Sequence, residues 1–291
     1  MSSDFADGEE RAVRKYFRKT EVEGHPQNSK MTIAISTLSL QTDYFPYLVY
    51  GWIALALILV PVQLFITAPY GRHTKDSWGP LIPNKLGWIL MELVSPLMFA
   101  GFFLLGENSK TWPMWIFFGL WIAHYINRSI IYPLRTKTTG KLMPLTIALS
   151  AAAFNAGNGY LNGHFLGSLG PIYAEDWLLD PRFIGGCVLF LTGAIINIWS
   201  DNYLLSLRKP GETGYRLPDK GLFRWVSCPN HMGEILEWSG FALLCWNLPA
   251  LSFAIWTAAN LIPRALSHHR WYREHFADYP EKRKAIIPWI L

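Results

Sequence analysis

Seven apolar stretches, each close to the length needed to cross a lipid bilayer, constrain this chain more than any other feature. A transmembrane helix needs about 20 mostly apolar residues. Backbone polar groups in lipid must be satisfied within the segment, and the ten-residue alternation of membrane barrels is not found, so we predict helices. The predicted spans are Tyr44–Ile66, Leu86–Leu105, Trp112–Ile131, Leu145–Phe165, Phe183–Leu205, Met232–Trp246 and Leu248–Leu266. The last two are short and nearly contiguous, so a helical hairpin is the alternative for them.

The composition agrees with a membrane location. Charged residues make up 16% of the 291 residues and hydrophobic residues 51%, whereas a soluble domain carries about 25% charged residues. Neither a Gly-x-Gly-x-x-Gly after a strand nor a phosphate-binding loop motif occurs, so no Rossmann domain is expected. We predict an all-α polytopic membrane bundle of about seven transmembrane helices. Residues 1–41 form a polar N-terminal extension, and residues 42–291 form a single membrane domain.

The basic residues lie mainly in loops on one side of the predicted spans. The net charge of +5 therefore indicates cytoplasmic loops rather than nucleic-acid binding, and the positive-inside rule places the C-terminus in the cytoplasm. The three cysteines show no Cys-x-x-Cys spacing, and no His-Glu-x-x-His is present. Neither a disulfide framework nor a metal site is expected.

Ionisable side chains inside the second and third spans are candidates for function. A charge such as Glu92 costs roughly 2.5–3.5 kcal/mol in a membrane helix, so it is usually partnered. Tyr125 and Arg128 share one helix face, and His124 and Arg128 have the spacing of an i, i+4 pair. A tyrosine stays protonated at neutral pH and can donate a hydrogen bond to a carbonyl. The alternatives are a structural ion pair for Glu92 and an interfacial aromatic anchor for Tyr125.

Polar side chains recur at helical spacing in the second half of the chain. Asn197, Asp201 and Arg208 lie close to one helix face, which suits a ligand with ribose hydroxyls and a phosphate. A salt bridge that anchors the following loop is the alternative. Two further stripes have similar spacing: Asn230, Glu234 and Glu237, then Arg264, His268 and Tyr272.

An ordered series of motifs carries a family resemblance. The segments are Gly157–Leu161, Asp180–Phe183, Asn197–Asp201, Leu207–Arg216, Gly221–Phe223, Gly233–Trp238, His268–Tyr272 and Tyr279–Pro288. Together they resemble the steroid 5α-reductase family, the 3-oxo-5α-steroid 4-dehydrogenases. The resemblance extends from about Leu86 to the end of the chain and is densest over residues 143–291.

This resemblance implies a seven-span fold that holds NADPH and admits a 3-oxo-Δ4-steroid from the lipid. It implies hydride transfer to C5, with the enolate stabilised at the C3 ketone. The implied catalytic residues are Glu92 and Tyr125, and the implied steroid contacts are Met91, Glu92, Tyr125 and Arg128. The implied cofactor contacts are Asn197, Asp201, Arg208, Arg216, Asn230, Arg264, His268 and Tyr272. Met91 departs from the family's pattern, which has Gln before the catalytic Glu.

Several expectations and alternatives accompany this interpretation. We expect a multi-pass monomer surrounded by membrane lipid, in the endoplasmic reticulum of a eukaryote or the inner membrane of a bacterium. One alternative is a related reductase of a sterol, a polyprenol or a trans-2-enoyl-CoA. Another is an isoprenylcysteine-type methyltransferase, which would bind S-adenosylmethionine. A non-enzymatic lipid receptor is a third, and it would leave Glu92 and Asp201 without a role.

Overall fold

The structure, a computed structural model, describes residues 26–137, 140–207 and 214–291. Side chains are described for these residues except 26–42 and Asp76. Much of the predicted N-terminal extension, and the predicted cofactor residue Arg208, therefore lie outside the described residues. Among the described residues, the contacts divide the chain into two units, with the boundary between Leu48 and Val49. All described candidate site residues belong to the second unit.

Helices dominate the described residues, which confirms the predicted helical class. The long helices are α1 (Pro26–Phe65), α2 (Asn84–Leu105), α3 (Trp112–Ile126), α5 (Leu145–His164), α6 (Pro181–Ser206), α7 (Pro229–Cys245) and α8 (Leu248–His275), and a short α4 covers Tyr132–Arg135. Single 3₁₀ turns occur at Gly71–His73, Asp76–Trp78, Glu175–Leu179 and Gly221–Arg224.

Three helical segments are long and apolar enough to cross a membrane: Asp43–Phe65, Asn84–Leu105 and Pro181–Ser206. Their most apolar windows are only 11%, 28% and 33% buried, so most of these apolar side chains face outward. An apolar surface of this extent is unfavourable in water and favourable in lipid. These three segments therefore fit a membrane protein, and the crossing of the other four predicted spans stays a prediction.

Helices α6 and α7 approach each other through glycines. A Cβ on Gly193 would lie 2.3 Å from the backbone nitrogen of Glu237, and one on Gly233 would lie 2.6 Å from that of Asn197. Any larger residue at either position would push the two backbones apart, as in other small-residue helix contacts in membranes. The close approach brings the polar end of α6 beside the start of α7.

Helices α2 and α5 pack in the same manner. A Cβ on Gly159 would meet the carbonyl oxygen of Ser95 at 2.9 Å, and one on Gly163 would meet that of Phe99 at 2.6 Å. One turn before Gly159, this contact places Asn155 against the backbone of α2, where its Nδ2 donates to the Met91 carbonyl oxygen at 2.7 Å. The α2–α5 contact therefore positions the segment that carries Glu92.

The helix that carries Tyr125 changes its hydrogen-bond pattern after Ile126. A π-helical turn, Asn127–Ile131, separates α3 from α4. Pro133 has no N–H to donate to the carbonyl four residues earlier, and its ring would clash there in a regular α-helix; the wider turn removes this conflict. The prediction of one uninterrupted α-helix over Trp112–Ile131 is wrong in this respect.

A small antiparallel strand pair joins the segments that lead into α2 and α5. Strand β1, Leu81–Pro83, pairs with β2, Leu142–Pro144, with Ile82 opposite Met143. The prediction of helices alone is wrong for these two segments. Three residues beside a proline show no alternation that could indicate a strand, and the pairing depends on a partner 59 to 63 residues away in the chain.

Candidate active site

Most of the predicted cofactor residues line one cavity. It has a volume of about 240 Å³ and lies among the ends of α2, α4, α6, α7 and α8. The predicted residues on its wall are Asp201, Arg216, Asn230, Arg264, His268 and Tyr272. The predicted steroid contact Arg128 also lines it. Asn197 lies directly behind the wall, where its Nδ2 donates to the Asn230 carbonyl oxygen at 3.0 Å.

Arg128 is the centre of a buried charge cluster. Its Nη1 lies 3.5 Å from Asp201 Oδ2, and its Nη2 lies 3.9 Å from Glu234 Oε2 and 4.0 Å from Glu92 Oε1. One guanidinium thus faces carboxylates from α2, α6 and α7, with every side chain in the cluster at most 16% exposed. The Trp88 indole stabilises the same turn by donating to the Arg128 carbonyl oxygen at 3.1 Å.

The amides of Asn197 and Asn230 organise the carboxylates of this cluster. Asn230 Nδ2 donates to Asp201 Oδ1 at 3.0 Å, and Asn197 Nδ2 donates to Glu234 Oε2 at 3.3 Å. Charge-assisted hydrogen bonds of this kind hold a carboxylate in one orientation. The predicted stripes on α6 and α7 therefore meet as one polar network along the glycine contact.

The predicted catalytic pair lies deeper than the cavity wall. Tyr125 is 3% exposed, and its hydroxyl donates to Asn155 Oδ1 at 3.4 Å. Glu92 is on α2, within 4.0 Å of Arg128. Met91, the predicted steroid contact before Glu92, is also buried and packs against Met143. The structure therefore brings Met91, Glu92, Tyr125 and Arg128 into one region, and their roles stay predictions.

His124 has a different partner from the one that its spacing indicates. The i, i+4 spacing pairs it with Arg128, whereas its Nδ1 lies 2.8 Å from Glu237 Oε1 on α7. Imidazole and guanidinium are both basic groups, so each takes an acidic partner instead: His124 faces Glu237, and Arg128 faces Glu92, Asp201 and Glu234. Both His124 and Glu237 are buried, and Trp238 packs on the imidazole with ring centroids 4.6 Å apart.

Arg264 holds the segment that precedes the first 3₁₀ turn. Its Nη1 donates to the Ala68 carbonyl oxygen at 2.7 Å, and its Nη2 donates to the Tyr70 carbonyl oxygen at 2.9 Å. The guanidinium also lies 3.6 Å from the centre of the Tyr70 ring. Arg264 therefore anchors this loop as well as lining the cavity.

Arg72 is a cavity residue that the sequence analysis did not single out. Its guanidinium carbon lies 4.8 Å from the Trp271 ring and 4.5 Å from the Tyr272 ring, and its Nη2 donates to the Tyr272 hydroxyl at 3.1 Å. Its buried Nη1 has no hydrogen-bond partner among the described residues, and neither has Nδ1 of the nearby His231. The sequence offered one indication of this role: Arg72 is a basic residue in a loop that is predicted to lie on the same side of the membrane as Arg216.

His73 and His268 stack at the cavity. His73 Nε2 and His268 Nδ1 lie 3.2 Å apart, which requires that one of the two nitrogens carries a proton and the other does not. Burial, reinforced by the positive charges of Arg264, Arg72 and Lys75, lowers the pKa of His73 to about 4. The His73 imidazole is therefore neutral at neutral pH.

We expect the folded protein to lose stability as the pH falls from 6.5 towards 4. In this interval unfolded His73 binds a proton while folded His73, with its pKa of about 4, does not, so protonation favours the unfolded chain. The measurement is the Tm in detergent across this interval for the wild type and for His73→Gln. The decrease should be smaller in the variant, and an identical decrease would contradict the assignment.

A metal site would need several acidic, histidine or cysteine side chains close together. Within residues 26–137, 140–207 and 214–291, no group of three or more of them is arranged to hold a metal ion. The partners of the buried carboxylates near Arg128 are instead the guanidinium and amide donors.

Comparison with known proteins gives a consistent set of relatives. The profile of a family described as 3-oxo-5-alpha-steroid 4-dehydrogenase matches residues 141–291. The chain is 40% identical to 3-oxo-5-alpha-steroid 4-dehydrogenase 1 of Bos taurus, over 82% of this chain and 93% of the bovine protein. It is 39% identical to steroid 5-alpha-reductase DET2 of Gossypium hirsutum, over 83% and 96%. It is 43% identical to 3-oxo-5-alpha-steroid 4-dehydrogenase 2 of Mus musculus, over 77% and 88%.

Proposed function

The chain belongs to the 3-oxo-5-alpha-steroid 4-dehydrogenase family, and we propose from this premise that it reduces the Δ4 double bond of 3-oxo-Δ4-steroids. It is an oxidoreductase of the steroid 5α-reductase type. The proposed hydride donor is NADPH, and the proposed products are 3-oxo-5α-steroids of the testosterone and progesterone series. The observation that carries the cofactor proposal is the buried Nη1 of Arg72, unpartnered among the described residues, on a cavity wall that also holds Arg216 and Arg264.

The chemistry of this wall fits a dinucleotide phosphate. Arginine binds phosphate through a planar set of donors, and Arg72 has donor capacity that no described residue uses. Asp201 and Asn230 line the same cavity and can bind ribose hydroxyls. We assign phosphate contacts to Arg72, Arg216 and Arg264, with Asn197, His268 and Tyr272 as supporting contacts. When bound, NADPH supplies the hydride; Arg208 is proposed as a further contact by resemblance alone.

Tyr125 has the chemistry needed at the steroid ketone. Addition of hydride to C5 places negative charge on the C3 oxygen, and a donor at that oxygen lowers the free energy of the transition state. The Tyr125 side chain is 3% exposed and its ring packs against Trp121 and Trp238, so water does not weaken a hydrogen bond that its hydroxyl makes there. Glu92 and Arg128 complete the charged part of this region, with Met91 beside them as a steroid contact.

We expect Glu92→Gln to decrease turnover on the order of 10²-fold. Gln keeps the shape of the side chain but removes the negative charge that faces Arg128 at 4.0 Å and that we propose polarises Tyr125. The measurement is NADPH oxidation with testosterone, together with the Kd for NADPH, which should change little. Glu107→Gln, at an exposed acid beyond the end of α2, is the matched control and should retain wild-type turnover. Wild-type turnover in Glu92→Gln would remove this assignment.

The membrane arrangement is part of the same proposal. We propose that all seven long helices cross the membrane, that the C-terminus is cytoplasmic, and that the steroid enters from the lipid. We further propose a monomer in the endoplasmic reticulum, or in the inner membrane if the source is bacterial. Cysteine labelling from each side of sealed vesicles would test the orientation, and a C-terminus reactive only from the lumenal side would contradict it.

The decisive experiment for the proposed function is a substrate comparison. Purified protein is incubated with NADPH and, separately, testosterone, progesterone and a long-chain trans-2-enoyl-CoA, and products are identified by mass spectrometry with stereochemical standards. We expect 5α-reduced steroid products. Reduction of the enoyl-CoA alone would indicate a related lipid reductase. Methyl transfer from S-adenosylmethionine, without steroid reduction, would indicate the methyltransferase alternative.

A further inference from the structure

A single buried amide connects the two helices that carry the proposed catalytic pair. Asn155 on α5 is 4% exposed and lies between α2 and α3. Its Nδ2 donates to the Met91 carbonyl oxygen at 2.7 Å, and its Oδ1 accepts from the Tyr125 hydroxyl at 3.4 Å. The Asn155 side chain also interacts with the Glu92 carboxylate.

The orientation of this amide is determined by its partners. A backbone carbonyl can only accept a hydrogen bond, so the nitrogen of the Asn155 amide must face Met91. The oxygen of the amide then faces Tyr125, and it too can only accept. The Tyr125 hydroxyl must therefore be the donor of the hydrogen bond to Asn155, because the amide oxygen can only accept.

We propose that Asn155 is a positioning residue that holds the Tyr125 hydroxyl ready for the steroid ketone. This inference rests on the proposed function. At 3.4 Å the bond to Asn155 exceeds the usual O–H···O length of about 2.7–2.8 Å, so it is weak. The hydroxyl can exchange it for a shorter bond to a ketone oxygen at little cost. Until then Asn155 keeps the buried hydroxyl satisfied and fixed relative to the Met91–Glu92 backbone.

The glycine contact between α2 and α5 makes this role possible. Gly159 lies one turn after Asn155, where α5 touches the backbone of α2 at Ser95. Asn155 is therefore carried by a helix that packs closely on the backbone of α2, with no room for a side chain between them at Gly159. Because the Asn155 side chain is short and its helix packs closely on α2, it holds the Tyr125 hydroxyl at a nearly fixed distance from α2.

The first test compares two substitutions at Asn155. Asn155→Leu removes both hydrogen bonds at similar volume, and Asn155→Asp is isosteric but loses the donor to Met91. For both we expect kcat for testosterone to fall about tenfold while the Kd for NADPH stays within about twofold. Asn162→Leu, the same substitution two turns further along α5, is the control. Asn162 donates to the Asn158 carbonyl oxygen, and its loss should lower Tm without lowering kcat.

The second test separates positioning from general support of the fold. In a Tyr125→Phe background, Asn155→Leu should change the residual turnover by less than about twofold, because the hydroxyl that it positions is already absent. An equal loss in both backgrounds would mean that Asn155 only supports the fold. A wild-type kcat in Asn155→Leu would also overturn the proposal. A wild-type protein that does not reduce steroids would instead overturn the proposed function itself.

Discussion

Tyr125→Phe is expected to decrease kcat for a 3-oxo-Δ4-steroid on the order of 10²–10³-fold. The substitution removes one hydroxyl from a side chain that is 3% exposed and leaves its contacts with Trp121 and Trp238 in place. The lost hydrogen bond is the one that would stabilise negative charge at the ketone oxygen. Because this donor acts mainly in the transition state, the KM for steroid and the Kd for NADPH should change much less.

The control for this experiment is Tyr173→Phe. Tyr173 is also buried, and its hydroxyl donates to the Cys245 carbonyl oxygen at 2.6 Å, so the same atom is removed from a comparable environment away from the cavity. We expect a lower Tm with wild-type turnover. If Tyr125→Phe and Tyr173→Phe lose turnover equally, or if Tyr125→Phe remains fully active, Tyr125 is not the proposed donor.

Arg128→Met is expected to be the most destabilising single substitution in the site. Its removal leaves Glu92, Asp201 and Glu234 facing one another without the cation that lies 3.5–4.0 Å from each of them. Loss of one partner from a buried ion pair typically costs about 3–5 kcal/mol of unfolding free energy. The measurement is thermal unfolding in detergent, where Tm should fall sharply. NADPH binding should weaken as well, because Arg128 lines the proposed cofactor cavity.

Arg182→Met is the matched comparison for Arg128. Arg182 pairs with Asp180 at 2.7 Å, but its side chain is 39% exposed, so water screens the pair. Its loss should change Tm far less. Arg128→Lys keeps the positive charge and should recover part of the stability lost in Arg128→Met. Equal Tm values for Arg128→Met and the wild type would show that the carboxylate cluster does not depend on the guanidinium.

The positions of several helices were predictable because each long apolar stretch of the sequence forms a helix. The start of α3 at Trp112, of α5 at Leu145 and of α8 at Leu248 coincide with the predicted limits. The errors occur where hydrogen bonding departs from the regular helix. The π-helical turn at Asn127–Ile131 depends on Pro133 and on packing, so the pattern of hydrophobic residues does not predict it.

The site was predictable where it follows one helix and less so where it joins several. Asp201, Asn230 and Tyr272, which line the cavity, could be singled out because helical spacing aligns them with neighbouring polar residues; their roles stay predictions. The partners Asn155 and Glu237 depend on which helices are adjacent, which spacing within one segment does not reveal. Arg72 depends on a loop that folds back onto α8, and bonds between residues far apart in the chain, such as those from Arg264 to Ala68 and Tyr70, hold that loop in place.

The glycine contacts have a mechanical consequence. Helices that meet backbone to backbone, as at Gly193 against Glu237 and Gly163 against Phe99, leave no room for a side chain between them, so we expect each pair to move as one unit. Motion between helices is then expected mainly at contacts between bulky side chains, because these side chains can change rotamer. A rigid, flat ligand that enters from the side is then expected to separate the two helix pairs from each other without bending either pair. Asp201, Asn230 and Glu234 would keep their spacing while it passed.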